Sequence, residues 1–211
     1  MKRRDFLSLS SLLLLGFSTQ GLASSFGANS APLSNQAFAN QALANQALAP
    51  TLIPTGGAKG GIPNSPLPLL LYRAIIPSTV QDKADYLESL FAQNSWQSAW
   101  RYQIFPYHHF HSTAHECVAC FSGRARLQVG GEGGRVLEVG IGDVLVIPAG
   151  VGHRQVDSSG GFCMVGAYPI GQRADVCRDD LAYLAKAQER IAQVPLPRSD
   201  PINGRVINAW G

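Results

Sequence analysis

Charge is what the first quarter of this chain lacks. No Lys, Arg, Asp or Glu stands between Asp5 and Lys59, and charged residues make up only 15% of the whole, against about 25% in an ordinary globular chain. Cysteine is scarce as well: there are 4, none before Cys117, which removes the lipid-anchored class of exported protein. No apolar run reaches the roughly 18 residues that a membrane-spanning helix needs. A basic surplus is missing too. The formal net charge of +3 comes mostly from Lys2, Arg3 and Arg4, so the rest of the chain is close to neutral and offers no electrostatic footprint for a nucleic acid.

The uncharged stretch reads as two pieces. Met1-Lys2-Arg3-Arg4 is a basic opening, Phe6 to Phe17 is apolar and broken by serines, and Gly21-Leu22-Ala23 is a small-x-small cleavage site, so residues 1–23 form an export signal. Arg3-Arg4-Asp5-Phe6-Leu7 resembles the twin-arginine signal, with an ordinary Sec signal as the alternative. The expected location is the periplasm or outside the cell. Three copies of a five-residue unit, Asn35 to Ala39, Asn40 to Ala44 and Asn45 to Ala49, cannot build a solenoid core. Residues 24–61 therefore read as a low-complexity spacer and 62–211 as the folded domain.

Within that domain, Leu69 to Arg73 is a short apolar run, ended by Pro77, suited to an edge strand or a core cover. Ser78 with Gln81 makes a capping-box pattern, and Ala84, Leu87, Leu90 and Phe91 fall on one face of a helix that Asn94 stops. The runs Ala125–Val129, Arg135–Val139 and Val144–Ile147 are separated by glycine-rich turns, and closely spaced short strands of this kind imply an all-β sandwich or barrel. Gly130 to Gly134 is a hairpin turn rather than a phosphate loop, because no helix follows it. A last helix spans Asp179 to Gln193, with Leu184, Ala187 and Ile191 on one face. Beyond it, Pro195 to Gly211 packs back through Trp210.

Chemistry concentrates in Tyr107-His108-His109-Phe110-His111-Ser112-Thr113-Ala114-His115-Glu116. Residues two apart on a strand share a face, so His109 and His111 point together, Glu116 returns to them after a turn, and His153 arrives from a second strand end after Pro148-Ala149-Gly150. His108 faces the other way, toward the surface. His115 either supports the ligands, carries protons or is exposed. Cys117 and Cys120 have C-x2-C spacing but lie on a strand, where they face opposite sides; with Cys163 and Cys177 they are packed free thiols or include one bridge between non-adjacent cysteines. Arg101 and Arg154 are candidates to hold a substrate carboxylate.

The spacing His109-x-His111-x4-Glu116-x6-Gly123, followed by Gly142-x5-Pro148-x-Gly150-x2-His153, resembles the two motifs of the cupin superfamily. Gln103 stands where the first motif usually opens with Gly, and Asp157 where the second usually closes with Asn; neither is a ligand position. Trp100-Arg101, Gly130 to Gly133, Gly166-Ala167-Tyr168-Pro169 and Asp200-Pro201 are similar to the YjlB-type cupins. The resemblance implies a double-stranded β-helix, or jelly roll, with helices before and after the barrel. It also implies one divalent metal (Fe, Mn, Ni or Zn) on His109, His111, Glu116 and His153, and a homodimer. Four protein ligands on a six-coordinate ion leave two positions for a small molecule. The expected activity is a dioxygenase-like oxidoreductase on a small organic acid or diol; the alternatives are a non-catalytic metal- or ligand-binding cupin and a Zn/Ni Lewis-acid isomerase.

Overall fold

The structure is a computed structural model that describes residues 49–211; the export signal and most of the spacer lie outside the described residues. Among the described residues, nine strands form one curled sheet of jelly-roll type. In chain order they are β1 (Thr51–Ile53), β2 (Leu69–Tyr72), β3 (Trp96–Tyr102), β4 (His109–Phe110), β5 (Glu116–Val129), β6 (Arg135–Gly140), β7 (Val144–Ile147), β8 (His153–Pro169) and β9 (Cys177–Arg178). The main path runs β1-β2-β7-β5-β8-β4-β9, with β3 added on β8 and β6 on β5. All pairings are antiparallel.

Two long strands carry the architecture. β5 and β8 pair from Cys117–Ala167 to Val129–His153, and the register slips between Cys120 and Ser122, Ser122 and Arg124, and Arg126 and Leu127. Each slip adds local bend and twist, which lets a single pair of strands curl around the core. The same strand changes neighbours along its length: β7 flanks Glu116 to Ala119, and β6 flanks Arg124 to Val129.

Alternation sorts the apolar residues onto two faces. Val118, Cys120, Leu145, Ile147, Leu69 and Leu71 join the interior of the curl. Cys117, Ala119, Val144, Val146, Leu70 and Tyr72 face outward, where they are covered by helix α1 (Lys83–Gln93) and the C-terminal tail. Leu87 and Phe91 of α1 are fully buried in that layer, each stabilising it by about 1.5–3 kcal/mol. The opposite-face placement of Cys117 and Cys120 follows the alternation, and all four cysteines are free thiols. Trp210 closes the layer, its indole Nε1 donating to the Pro68 carbonyl at 2.8 Å.

Several expectations need correction. Helix α1 is capped by Asp82, whose carboxylate accepts from the Asp85 amide at 3.0 Å, and not by Ser78, because Val80 still belongs to a turn on Pro77. The last helix is shorter than Asp179 to Gln193: Asp180 caps a 3-10 turn, Leu181–Tyr183, that leads into α2 (Leu184–Ile191). The folded part begins before residue 62, since β1 pairs with β2 and so moves β2 off the sheet edge. Gly60 and Gly61 look like linker residues, yet a Cβ on Gly61 would lie 2.2 Å from the Asp180 amide nitrogen. Glycine here permits close packing rather than flexibility.

Candidate metal centre

Each of the three histidines is aimed by the start or middle of a short, constrained segment. His109 on β4 is paired on one side with His153 at the start of β8 and on the other with Arg178 of β9. His111 follows β4, where its carbonyl accepts from the Gly150 amide at 2.8 Å. Gly150 has φ +88°, and a Cβ there would meet the Asn64 carbonyl at 2.6 Å, so this turn requires glycine. Asn64 then ties the turn down: its side chain accepts from the Gly152 amide and donates to the Gly57 and Gly130 carbonyls. Asn64 thus helps hold the turn that leads into His153.

The ring nitrogens divide by role. Nδ1 of His153 lies 3.0 Å from the Val151 carbonyl, Nδ1 of His109 lies 3.4 Å from the Tyr107 carbonyl, and Nδ1 of His111 meets the Asp175 carbonyl. A carbonyl only accepts, so it fixes the hydrogen on Nδ1 and leaves Nε2 with its lone pair. The potential ligand atoms of His109, His111 and His153 lie within 4.8 Å of one another. Glu116, first residue of β5, places Oε2 3.2 Å from Nε2 of both His111 and His153. None of the four residues is more than 6% exposed.

Nε2 of His111, Nε2 of His153 and Oε2 of Glu116 have no hydrogen-bond partner although all are buried. Leaving one such polar atom unsatisfied costs about 1–3 kcal/mol, and three of them facing one another call for a cation. The donor set of imidazole nitrogens with an adjacent carboxylate suits a divalent transition metal. The electrostatics tie the carboxylate to the histidines around it. Burial alone would raise the Glu116 carboxyl, but His111 and His153 outweigh it and hold it well below the usual range. Burial resists charge on His111, yet Glu116 and the Asp175 carbonyl raise it. His109 is pushed down to about 2, by burial first and then by His153; Phe105 and Tyr107 meet its ring edge-on at 5.0 and 6.1 Å.

A cavity of about 280 Å³ opens onto His109, His111 and Glu116, walled mainly by Trp100, Ile104, Phe105 and Tyr168. Tyr168 donates to Glu116 Oε1 at 2.9 Å and accepts from Trp100 Nε1 at 3.2 Å; burial, then Glu116, raises its phenol and keeps it neutral. A larger groove of about 660 Å³ lies along Pro63, Leu67, His115 and Ile191. It contains no converging set of ligands, so the smaller cavity is the site.

Other candidates fall elsewhere. Arg101 is drawn away by Glu88, at 2.7 and 2.8 Å, and by Asp85 on α1, so it does not serve as a carboxylate clamp. Arg154 donates to Gln128 Oε1 at 2.9 Å and approaches Glu132 at 4.0 Å; it does not line the cavity. His115 is buried against Trp210, with ring centroids 4.8 Å apart, and its Nδ1 accepts from the Ala149 amide at 3.1 Å. Burial pushes it down to about 4, against the Pro195 carbonyl. His108 is not a surface residue: its side chain is only 8% exposed, with Glu132 of the hairpin turn 3.8 Å away.

Two contributors escaped the motif reading. Asp175 receives His111 through its carbonyl, and its carboxylate accepts from the Ser112 amide and hydroxyl at 2.7 and 2.6 Å. It lies far along the chain with no motif around it. Tyr168 sits in the Gly166 to Pro169 run, which in the sequence carries a family resemblance and no ligand-type residue.

A family model described as a cupin domain matches residues 102–160, which contain all four residues at the centre. "Uncharacterized protein YjlB" of Bacillus subtilis (strain 168) is 37% identical over 147 residues, covering 69% of this chain and 86% of that protein. The solved coconut allergen cocosin is 21% identical with a TM-score of 0.29, over 38% of this chain and 22% of cocosin. The chain belongs to the cupins, and among them it is of the YjlB type.

Proposed function

We propose that the chain is an exported metalloenzyme, a dioxygenase-like oxidoreductase that acts on a small diol. The observation that carries the reading is the group of buried, unpartnered Nε2 and Oε2 atoms at the base of a cavity open to a small molecule. His109, His111 and His153 would hold one divalent ion, with Glu116 as the fourth donor. When bound, Fe or Mn supplies Lewis acidity and exchange of electrons with oxygen and substrate. The leader with Arg3-Arg4 supports export, and a twin-arginine route would carry the domain already folded with its metal.

The residues of the chain have definite tasks in this reading. The Val151, Tyr107 and Asp175 carbonyls keep the three Nε2 lone pairs directed inward. Tyr168 holds the Glu116 carboxylate through Oε1, leaving Oε2 for the ion. Trp100, Ile104 and Phe105 exclude water from the reacting molecule. Dioxygenation of an enediol balances without a further reductant: the bond between the two hydroxyl-bearing carbons breaks, both oxygen atoms enter the product as carboxyl groups, and the substrate supplies all the electrons.

An acid remains the poorer substrate, because neither Arg101 nor Arg154 reaches the cavity. The test is elemental analysis of protein purified from its own host, followed by oxygen uptake with an enediol such as catechol. Uptake matched to product, lost in His111→Ala together with the metal, is the expected result. A His111→Ala protein that keeps both overturns the reading, and a diol recovered unchanged makes the protein a binding module.

A further inference from the structure

We infer that the cavity above the histidines selects a flat, single-ring or conjugated molecule that is neutral or singly ionised and carries adjacent oxygen donors, and that Trp100 and Phe105 are its specificity-determining walls. The inference rests on the metal-centre reading above and names its ligand class. Three observations carry it.

First, no Lys or Arg lines the cavity among the described residues, and its only acid is Glu116. A dicarboxylate would bring its second charge into a pocket with no cation to receive it, beside an existing carboxylate. Oxygen donors bound at the histidine end need no such partner.

Second, the walls are rings fixed in place. Trp100 lies against the bare backbone of Gly166: a Cβ there would sit 1.9 Å from the indole Cε2. Its Nε1 is tied to Tyr168, so the indole can neither swing away nor sink. Phe105 stacks on Tyr107 with centroids 5.0 Å apart and planes 11° from parallel, while the Arg178 guanidinium lies 3.9 Å from the Tyr107 centroid. That stack holds Phe105 from behind while 41% of the residue stays exposed. Rigid aromatic walls reward a planar guest, since neither side loses conformational freedom on contact.

Third, about 280 Å³ lies at the lower end of the range that drug-sized ligands occupy. A single ring with its oxygen substituents fits, since a cavity of about 150 Å³ already holds benzene. Tyr102, 70% exposed at the mouth, leaves the entrance apolar rather than charged.

The experiment is calorimetric titration of the purified protein with catechol, neutral and planar, and with succinate, a flexible dianion with the same number of non-hydrogen atoms. Metal content is measured before and after. Catechol is expected to bind about tenfold more tightly than succinate. Trp100→Leu and Phe105→Ala are each expected to weaken catechol about fivefold at unchanged metal content and to leave succinate unaffected. Phe105→Ala serves should Trp100→Leu fail to fold. Succinate binding as tightly as catechol, or catechol affinity unmoved in the folded variants, overturns the inference. Metal present with succinate preferred removes the aromatic walls alone; metal absent with catechol still preferred removes the metal centre and retains the walls.

Discussion

Two sets of buried histidines are built for opposite purposes. In His109, His111 and His153 each Nδ1 faces a backbone carbonyl, and Nε2 is left as an acceptor. In His115 the Nδ1 faces the Ala149 amide, a donor, so Nδ1 must be the acceptor and Nε2 carries the hydrogen. One group can ligate and the other cannot, although all four are buried. Burial and residue type are therefore poor guides to a ligand; the partner on the far nitrogen decides.

The sharpest way to break that comparison is to exchange histidines for alanine on each side of it. His111→Ala should lower metal affinity by more than the 10- to 100-fold typical of losing an outer hydrogen-bond partner. His115→Ala should keep one metal per chain. Elemental analysis of both variants, checked for native fold by circular dichroism, measures the difference; metal lost equally from both would erase the distinction drawn from tautomers.

The next effect falls on stability alone. Trp210 packs on His115 and donates to the Pro68 carbonyl, within the layer that also contains Leu70, Tyr72 and Phe91. Truncating it should cost roughly 3 kcal/mol, as large aromatic deletions in cores do, without releasing metal. Urea unfolding with parallel metal analysis checks this. A Trp210→Ala protein of normal stability would mean that the tail merely covers the sheet.

Asp175 joins the two kinds of support, since its carbonyl faces the His111 ring and its carboxylate holds the Ser112 amide and hydroxyl and lies 3.2 Å from Arg190. Asp175→Ala keeps the carbonyl but cuts the carboxylate ties to Ser112 that hold that carbonyl against His111. It should weaken metal binding by at most about tenfold, with part of the loss recovered in Asp175→Asn, which keeps one acceptor. Competition with a colorimetric chelator reads the affinity directly. A change in melting temperature with affinity intact would assign Asp175 to the fold and not to the centre.

Much of the centre was legible because cupin motifs are local. Strand alternation brings His109 and His111 together, and the Pro148 to Gly150 turn delivers His153; both follow from short-range rules. The walls were not legible in that way. Trp100 reaches the cavity through the pairing of β3 with β8, Tyr168 through the far end of β8, and Asp175 through a loop, so their roles depend on long-range register. Composition misled at residues 51–61, where Pro and Gly suggested a spacer, but Ile53 is buried in the interior and Thr51 to Ile53 form a strand. Glycine tells of backbone conformation and close approach, and those differ between a linker and a packed turn only in what lies beside them. The same limit applied to α1, whose Ser78 pattern is a capping box by type while the real cap is Asp82.

The smallest effect is expected where sequence had offered arginines for substrate. Arg101 spans the exposed gap from β3 to α1, donating to Glu88 through Nε and Nη2 and to Asp85 through Nη2. Exposed ion pairs contribute little because water and salt screen them. Strand alternation sends Arg101 away from the face on which Trp100 meets the cavity, so its removal should reach neither the metal nor the ligand. Arg101→Ala should therefore retain one metal per chain and the catechol affinity of the parent, in contrast to Trp100→Leu one residue earlier. Both are read in one calorimetric series at low and high salt. A loss of affinity in Arg101→Ala that disappears at high salt would reveal long-range attraction of an anionic ligand, and would move the substrate class back toward acids.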